Sequence, residues 1–285
     1  MASMRDIKRR KSSISSTQQI TKAMKLVSTV KLQKAKTRAE QTNPYFNYMY
    51  KTVSSMLAKS GNIDHPYLNA GDSRKKAVVV ITSNRGLAGG YNSNVVKLIT
   101  QGNFKKEDLD IYAIGGKGAE ALSSRGYQIK VSAPEIMENP TYEDAAALCR
   151  KVLDSFTNGE VGEIYLAYTH FKNTVTHIPT LVKLLPVEIN PEEVAQDEAD
   201  VMMNYEPNEE EALDTIIPKY VTSLFYGALV EAHASENGAR MQAMDSATSN
   251  AEEMISDLTL KYNRARQGSI TQELTEIIAG ANAIS

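Results

Sequence analysis

Residues 208–283 contain one proline, Pro218, near the start, so they read as a single helix of about 70 residues. Within that helix Met241, Met244, Thr248, Ala251, Ile255, Leu258, Tyr262, Ala265, Ser269 and Gln272 keep an alternating spacing of three and four. Such spacing marks a heptad seam and predicts a coiled coil. Length sharpens the point. At about 1.5 Å per residue the helix extends roughly 100 Å, whereas a compact chain of 285 residues has a radius of gyration near 19 Å. A helix of that length needs a second helix beside it, and its excess must meet solvent or another protein.

The N-terminus offers the second helix. Residues 3–59 are helical in pattern, with Ser3 as the cap and Asp6 three residues on. Ile20, Met24, Val27 and Val30 form a narrow stripe, and we expect it to pack antiparallel against the C-terminal seam. Pro44 is expected to kink or restart this helix, with Asn43 as a possible cap. Asn208 is expected to cap the C-terminal helix, with Glu209, Glu210 and Glu211 in its first turn, where the dipole favours anions.

Between the helices the period changes. AVVVITSN at 77–84 is a continuous β-branched run of the kind buried on both faces of a sheet. Helical stretches at 91–101, up to Gly126 and at 141–157 alternate with strand-like segments at 110–116, 128–132, 163–171 and 174–188. That alternation predicts a Rossmann-like α/β domain with a mostly parallel sheet, its last two strands forming a hairpin. The expected organisation is an N-terminal shaft helix (1–60), a central α/β foot domain (74–190), an acidic connector (191–207) and a C-terminal shaft helix (208–285).

Charge is divided unevenly along the chain. Residues 1–40 hold eleven Lys/Arg against Asp6 and Glu40, while residues 188–214 hold eleven Asp/Glu and no basic residue. This suits separate partners at separate ends, or simply two solvated faces. Cys149 is the only cysteine, which excludes an intrachain disulfide and a cysteine-built zinc site, and fits a reducing compartment. The start MASMRDIKRRKSS lacks the apolar core of a signal peptide, and no apolar run approaches 18 residues.

Candidate chemistry is thin. SNRGLAGGYNSN at 83–94 is a glycine-rich strand-to-helix turn, but it reads G-x-x-G-G and misses the dinucleotide fingerprint. AIGGKGAE at 113–120 has Gly118 where a phosphate loop needs Ser or Thr. His170 and His177 are expected to face each other across the hairpin, without the further ligands a metal needs. The basic IKRRKSS at 7–13 fits nucleic acid or an acidic protein surface. A nucleotide-binding α/β enzyme and a basic-helix nucleic-acid binder therefore stand as alternatives to a scaffold.

ITKAMKLVSTVKLQKAK at 20–36, TSNRGLAGGYNSN at 82–94 and the long stretch ARMQAMDSATSNAEEMISDLTLKYNRARQGSITQELTEIIAGA at 239–281 closely resemble the gamma-subunit family of bacterial F-type ATP synthases. The resemblance spans essentially the whole chain. It implies a rotor shaft with no catalytic, cofactor or metal residues of its own. The paired helices would stand inside a hexamer of alpha and beta subunits, and the α/β domain would rest on the epsilon subunit and a proton-driven c-ring. The resemblance also assigns contacts. Arg266 and Gln267, with Thr271 nearby, would meet a loop of one beta subunit, and Arg240 and Glu276 match further coupling positions. Met24 would face an acidic beta loop, with Lys22 and Lys25 in a basic collar, and Tyr205 and Glu206 would meet the c subunits. It further implies a peripheral protein on the cytoplasmic face of a bacterial membrane, without the redox cysteine pair of chloroplast relatives.

Overall fold

The structure, a computed structural model, describes residues 3–59, 65–69, 71–187 and 209–284. The acidic connector, Asn208, Tyr205 and Glu206 lie outside the described residues. The order of elements is α1 (Met4–Lys59), β1 (Lys76–Ile81), α2 (Tyr91–Thr100), β2 (Leu109–Ile114), α3 (Gly116–Ser123), β3 (Gln128–Ser132), α4 (Tyr142–Thr157), β4 (Glu163–Phe171), β5 (His177–Leu185) and α5 (Glu209–Ile284). Short 3-10 turns precede β2 and follow β3. The chain divides into two units, one of residues 29–240 and one formed by residues 1–28 with 241–285.

In the larger unit the sheet runs β3-β2-β1-β4-β5. The pairs β1–β2, β1–β4 and β2–β3 are parallel, and the β4–β5 hairpin is antiparallel. The β-branched run at 77–81 explains the centre of this order. Every residue from Ala77 to Ile81 is buried because both faces of β1 are covered. On one face Val79, Ile81 and Tyr112 pack with Val53 and Met56 of α1, with Leu148, Val152 and Phe156 of α4, and with Ile217, Val221 and Phe225 of α5. On the other, Val78, Val80 and Ile111 pack with Val95 and Ile99 of α2 and Leu122 of α3. Thr141 caps α4, its hydroxyl accepting the Asp144 N–H at 3.2 Å.

Three local expectations change here. Helix α1 runs through Pro44 without restarting. A proline costs the helix one hydrogen bond, and packing of the next turn offsets it: Phe46 meets Tyr226 edge-on at 6.4 Å and lies over Gly227. Strand β5 begins at His177 rather than near 174, because the Asn173 side chain accepts the N–H groups of Val175 (2.9 Å) and Thr176 (2.7 Å) and holds them in a turn. His170 and His177 do not face each other. His170 pairs across the hairpin with Ile178, and His177 with Phe171. Side chains alternate between faces along a strand, so the two rings fall on opposite faces.

The smaller unit is an antiparallel pair of helix segments. Gln18 Nε2 donates to Glu252 Oε1 (3.0 Å), the Thr21 and Thr248 hydroxyls share a hydrogen bond of 2.8 Å, and Lys25 reaches Asp245 at 2.6 Å. On α5 the seam is the one expected as far as Ser269, with Met244, Thr248, Ala251 and Leu258 buried, but Gln272 is exposed. On α1 it is not. Thr21 and Ser28 are buried, and Ile7, Lys11, Ile14, Gln18 and Lys25 are half-buried at alternating steps of four and three. The expected stripe lies elsewhere, with Ile20 60% and Val27 57% exposed and Met24 half-buried. In the larger unit Val30 is exposed as well. Thr21 and Ser28 let the two helices approach closely and bond across a seam that also holds Ile7, Ile14, Met244 and Leu258, while Ile20 and Val27 are turned outward.

Candidate partner-binding surfaces

Helix α1 caps itself early. The Ser3 hydroxyl accepts the Asp6 N–H (3.2 Å) and donates to the Asp6 carboxylate (2.8 Å). In each cross-helix pair of the smaller unit the two positions add to 269 or 270. At that register Met4, the first residue of α1, falls level with Arg266. Beyond it α5 continues to Ile284 past the last described residues of α1, and every residue from Thr271 to Asn282 is exposed.

This tip and its base carry four of the ten sequence-derived contact residues. Arg266, Gln267, Thr271 and Glu276 are all exposed. Thr271 donates its hydroxyl back to Gln267 O (2.9 Å), and Gln272 donates to Glu276 Oε1 (2.9 Å), so part of this polar face is pre-ordered by the helix itself. Ile270, Leu274, Ile277 and Ile278 form a second, apolar stripe at helical spacing, and Ile277 is 67% exposed. The i, i+4, i+7, i+8 spacing of this stripe is plain in the sequence.

Farther along the smaller unit, Lys22 is exposed, Met24 is half-buried and Lys25 is bonded to Asp245. Lys22 with Ile20, Leu26 and Val27 makes a mixed basic and apolar outer face on α1, with Met24 at its edge and Lys25 turned to the seam. Exposed apolar side chains repeating on an already paired helix mark a surface made for contact.

Arg240 belongs to the larger unit and is neither on the tip nor exposed. Its Nη1 is 2.6 Å from Glu236 Oε1, with only 12% and 11% of the two side chains exposed. Its Nη2 donates to Arg85 O (3.3 Å) and Gly86 O (3.4 Å). Burial raises the Glu236 pKa while the Arg240 guanidinium pulls it back down. One turn away, burial lowers the His233 pKa to about 4, assisted by the charges of Lys31, Arg38 and Arg240.

The glycine-rich turns are arranged for packing. At the start of α3 the Gly116 N–H donates to Asn84 Oδ1 (3.0 Å), the Lys117 N–H to Ser83 O (3.0 Å) and the Gly118 N–H to Thr82 Oγ1 (2.8 Å). These are the donors a phosphate would need at a helix start, and each is already engaged. Gly115 has φ +91, and a Cβ there would lie 2.0 Å from Thr82 O. Glycine is required for that close approach. Among the described residues no cluster of three metal-ligating side chains occurs, and His170 bonds Glu231 at 2.7 Å. No described helix is long and apolar enough to cross a membrane.

The chain thus defines a class: long N- and C-terminal helices with a mostly parallel five-stranded α/β sheet between them in sequence. A family model described as ATP synthase matches residues 3–284. The ATP synthase gamma chain of Lachnoclostridium phytofermentans is 68% identical over the whole of both chains, and that of Alkaliphilus metalliredigens is 46% identical, covering 99% of this chain and 98% of its own. A sodium ion specific gamma chain from Acetobacterium woodii is 41% identical, covering 99% of each. Among solved structures, a chain of the Tetrahymena thermophila mitochondrial ATP synthase central stalk and c-ring aligns with 27% identity and TM-score 0.60, covering 80% of this chain and 99% of that one. A chain of the Euglena gracilis mitochondrial enzyme shares the fold at 18% identity and TM-score 0.74, covering 99% and 94%. The chain belongs to the ATP synthase gamma chain family, the central-stalk subunit of the F-type complex.

Proposed function

We propose that this chain is a non-catalytic torque shaft. Its paired helices would turn inside a hexamer of alpha and beta subunits, and its α/β domain (74–190) would act as the foot on the epsilon subunit and c-ring. The observation that carries this reading is the tip of α5, which continues past the start of α1 with polar and apolar stripes both exposed. Burying a large apolar side chain contributes about 1.5–3 kcal/mol, so Ile270, Leu274, Ile277 and Ile278 together suit a sleeve that holds the tip laterally. The polar set Arg266, Gln267, Thr271 and Glu276 suits contacts that must break and re-form at each step, since such groups exchange partners with water at low cost.

Lower on the shaft Met24, with Lys22 and Lys25, would face an acidic loop of a beta subunit. Tyr205 and Glu206 would contact the c-ring. In this role the chain is peripheral, held on the cytoplasmic face of a bacterial membrane through the c-ring. The engaged amides of α3 weigh against a nucleotide-using enzyme. Thiol labelling tests the reading. A cysteine at Ile277 should react freely in the purified chain and be protected on assembly with alpha and beta subunits. Equal reactivity in both would overturn it.

A further inference from the structure

In an open α/β sheet the ligand crevice lies beyond the C-terminal ends of the strands, where the strand order reverses. Here that point is between β1 and β4, because the chain passes from β1 to β2 on one side and places β4 on the other. The crevice is filled by α5 itself. Tyr91 donates its hydroxyl to Ala232 O (3.1 Å), and Ser235 donates to Thr169 O at the end of β4 (3.1 Å). Glu231 bonds His170 (2.7 Å), and Gly238 lies so close to His177 that a Cβ would come within 2.5 Å of its ring. Arg240 then closes the row on the turn that follows β1.

We propose that Arg240, oriented by Glu236, is an internal positioning residue that pins the Arg85–Gly86 turn to α5, so that force on the turn passes directly into the helix. The turn is otherwise secured mainly from one side. Ser83 donates its hydroxyl to Arg85 O (2.6 Å), and Asn92 bonds both the N–H and the hydroxyl of Ser83 (2.8 and 3.0 Å). Past Gly86 the chain bears an exposed Leu87 at φ +63 and Gly89 at φ +56. A non-glycine residue held in the left-handed region persists only where its surroundings fix it. The guanidinium supplies that restraint. It spends one nitrogen on a mostly buried carboxylate and the other on two adjacent carbonyls, a fork that the lysine point charge does not reproduce.

This assignment rests on the shaft reading for its purpose, but its geometry is independent of it. It also separates Arg240 from the tip residues, which have to reach a partner directly. The partner-contact reading predicts that Arg240 alone matters, whereas an internal pin predicts that Glu236 matters equally. Hydrogen exchange of residues 84–90 in the purified full-length chain is the first measurement. Glu236→Gln and Arg240→Lys should each speed that exchange about tenfold, with the double variant little faster than either, because both remove one unit. Normal exchange in Glu236→Gln would overturn the pin. In the assembled complex the same variants should lose rotation rate under viscous load more than ATP turnover without load. Loaded rotation equal to the parent, despite faster exchange, would overturn the mechanical role. If the variants exchange faster but the parent does not rotate at all, the pin stands and the shaft reading fails.

Discussion

The two units bury their helices by different means. In the larger one Phe225, Val221 and Ile217 of α5 sit in an apolar core with the sheet and α4. In the smaller one the same helix meets α1 through a pair of threonine hydroxyls and a short list of small or medium side chains, while Ile20, Val27, Ile270 and Ile277 face outward. The first arrangement is self-sufficient. The second leaves Ile20, Val27, Ile270 and Ile277 exposed, the kind of apolar surface that suits a partner. The contrast separates the part of the chain that carries its own stability from the part that is finished by assembly.

The sharpest way to break this comparison is to truncate one large apolar residue in each region. Phe225→Ala should cost about 3–5 kcal/mol in denaturant unfolding of the purified chain, as expected for a fully buried aromatic. Ile277→Ala should leave that curve unchanged and weaken only the assembled complex. A matching loss from Ile277→Ala would show that the tip already has a partner within the chain.

A second contrast concerns polar residues. Arg266→Ala with Gln267→Ala should leave the melting temperature of the purified chain unaltered, because both are exposed. In the complex the double variant should slow ATP turnover and reduce the yield of assembly. Parent-like turnover and assembly would mean that the two are merely solvated.

The threonine pair gives a smaller effect. Thr21→Val or Thr248→Val alone removes the cross-helix bond, although the remaining hydroxyl keeps its own-helix acceptor, Gln18 O for Thr21 and Met244 O for Thr248; each should cost about 1 kcal/mol, and the double variant less than the sum of the two. Strict additivity would show that the 2.8 Å contact carries no energy.

The last contrast is in pH. His233 is held neutral by burial, with a pKa near 4 against an ordinary value of 6.5. Its folded pKa is depressed, so between these values the unfolded chain binds the extra proton. Stability should therefore fall as the pH drops from about 6.5 towards 4. Glu236, with its raised pKa, has the opposite slope. The difference between the parent and His233→Gln isolates the histidine: the variant should lose less stability across that window, and parallel curves would refute the assignment.

Much of this contrast is readable in the amino-acid sequence. The β-branched run at 77–81, the alternation of strands and helices, the Ser3 cap and the α5 heptads all follow from residue type and spacing, and each is found. The α1 seam is harder to see, because hydrophobicity points to Ile20 and Val27 whereas Thr21, Lys25 and Ser28 face the partner helix. That inversion is invisible to hydrophobic periodicity alone, because the bonded seam is polar. The tip residues Arg266, Gln267, Thr271 and Glu276 are legible through resemblance and emerge on the bare end of α5. Arg240 could be singled out but not placed, since its carbonyl acceptors at Arg85 and Gly86 are some 155 residues away in sequence. No local pattern encodes such a contact.

Rotation tests the shaft most directly. Cys149 is buried and its thiol pKa is pushed up to about 11, so a cysteine introduced at the exposed Asn103 becomes the one reactive thiol for attaching a bead. With alpha and beta subunits fixed to a surface and ATP supplied, the bead should turn stepwise in one direction. Steady ATP hydrolysis by the complex with a stationary bead would contradict the account.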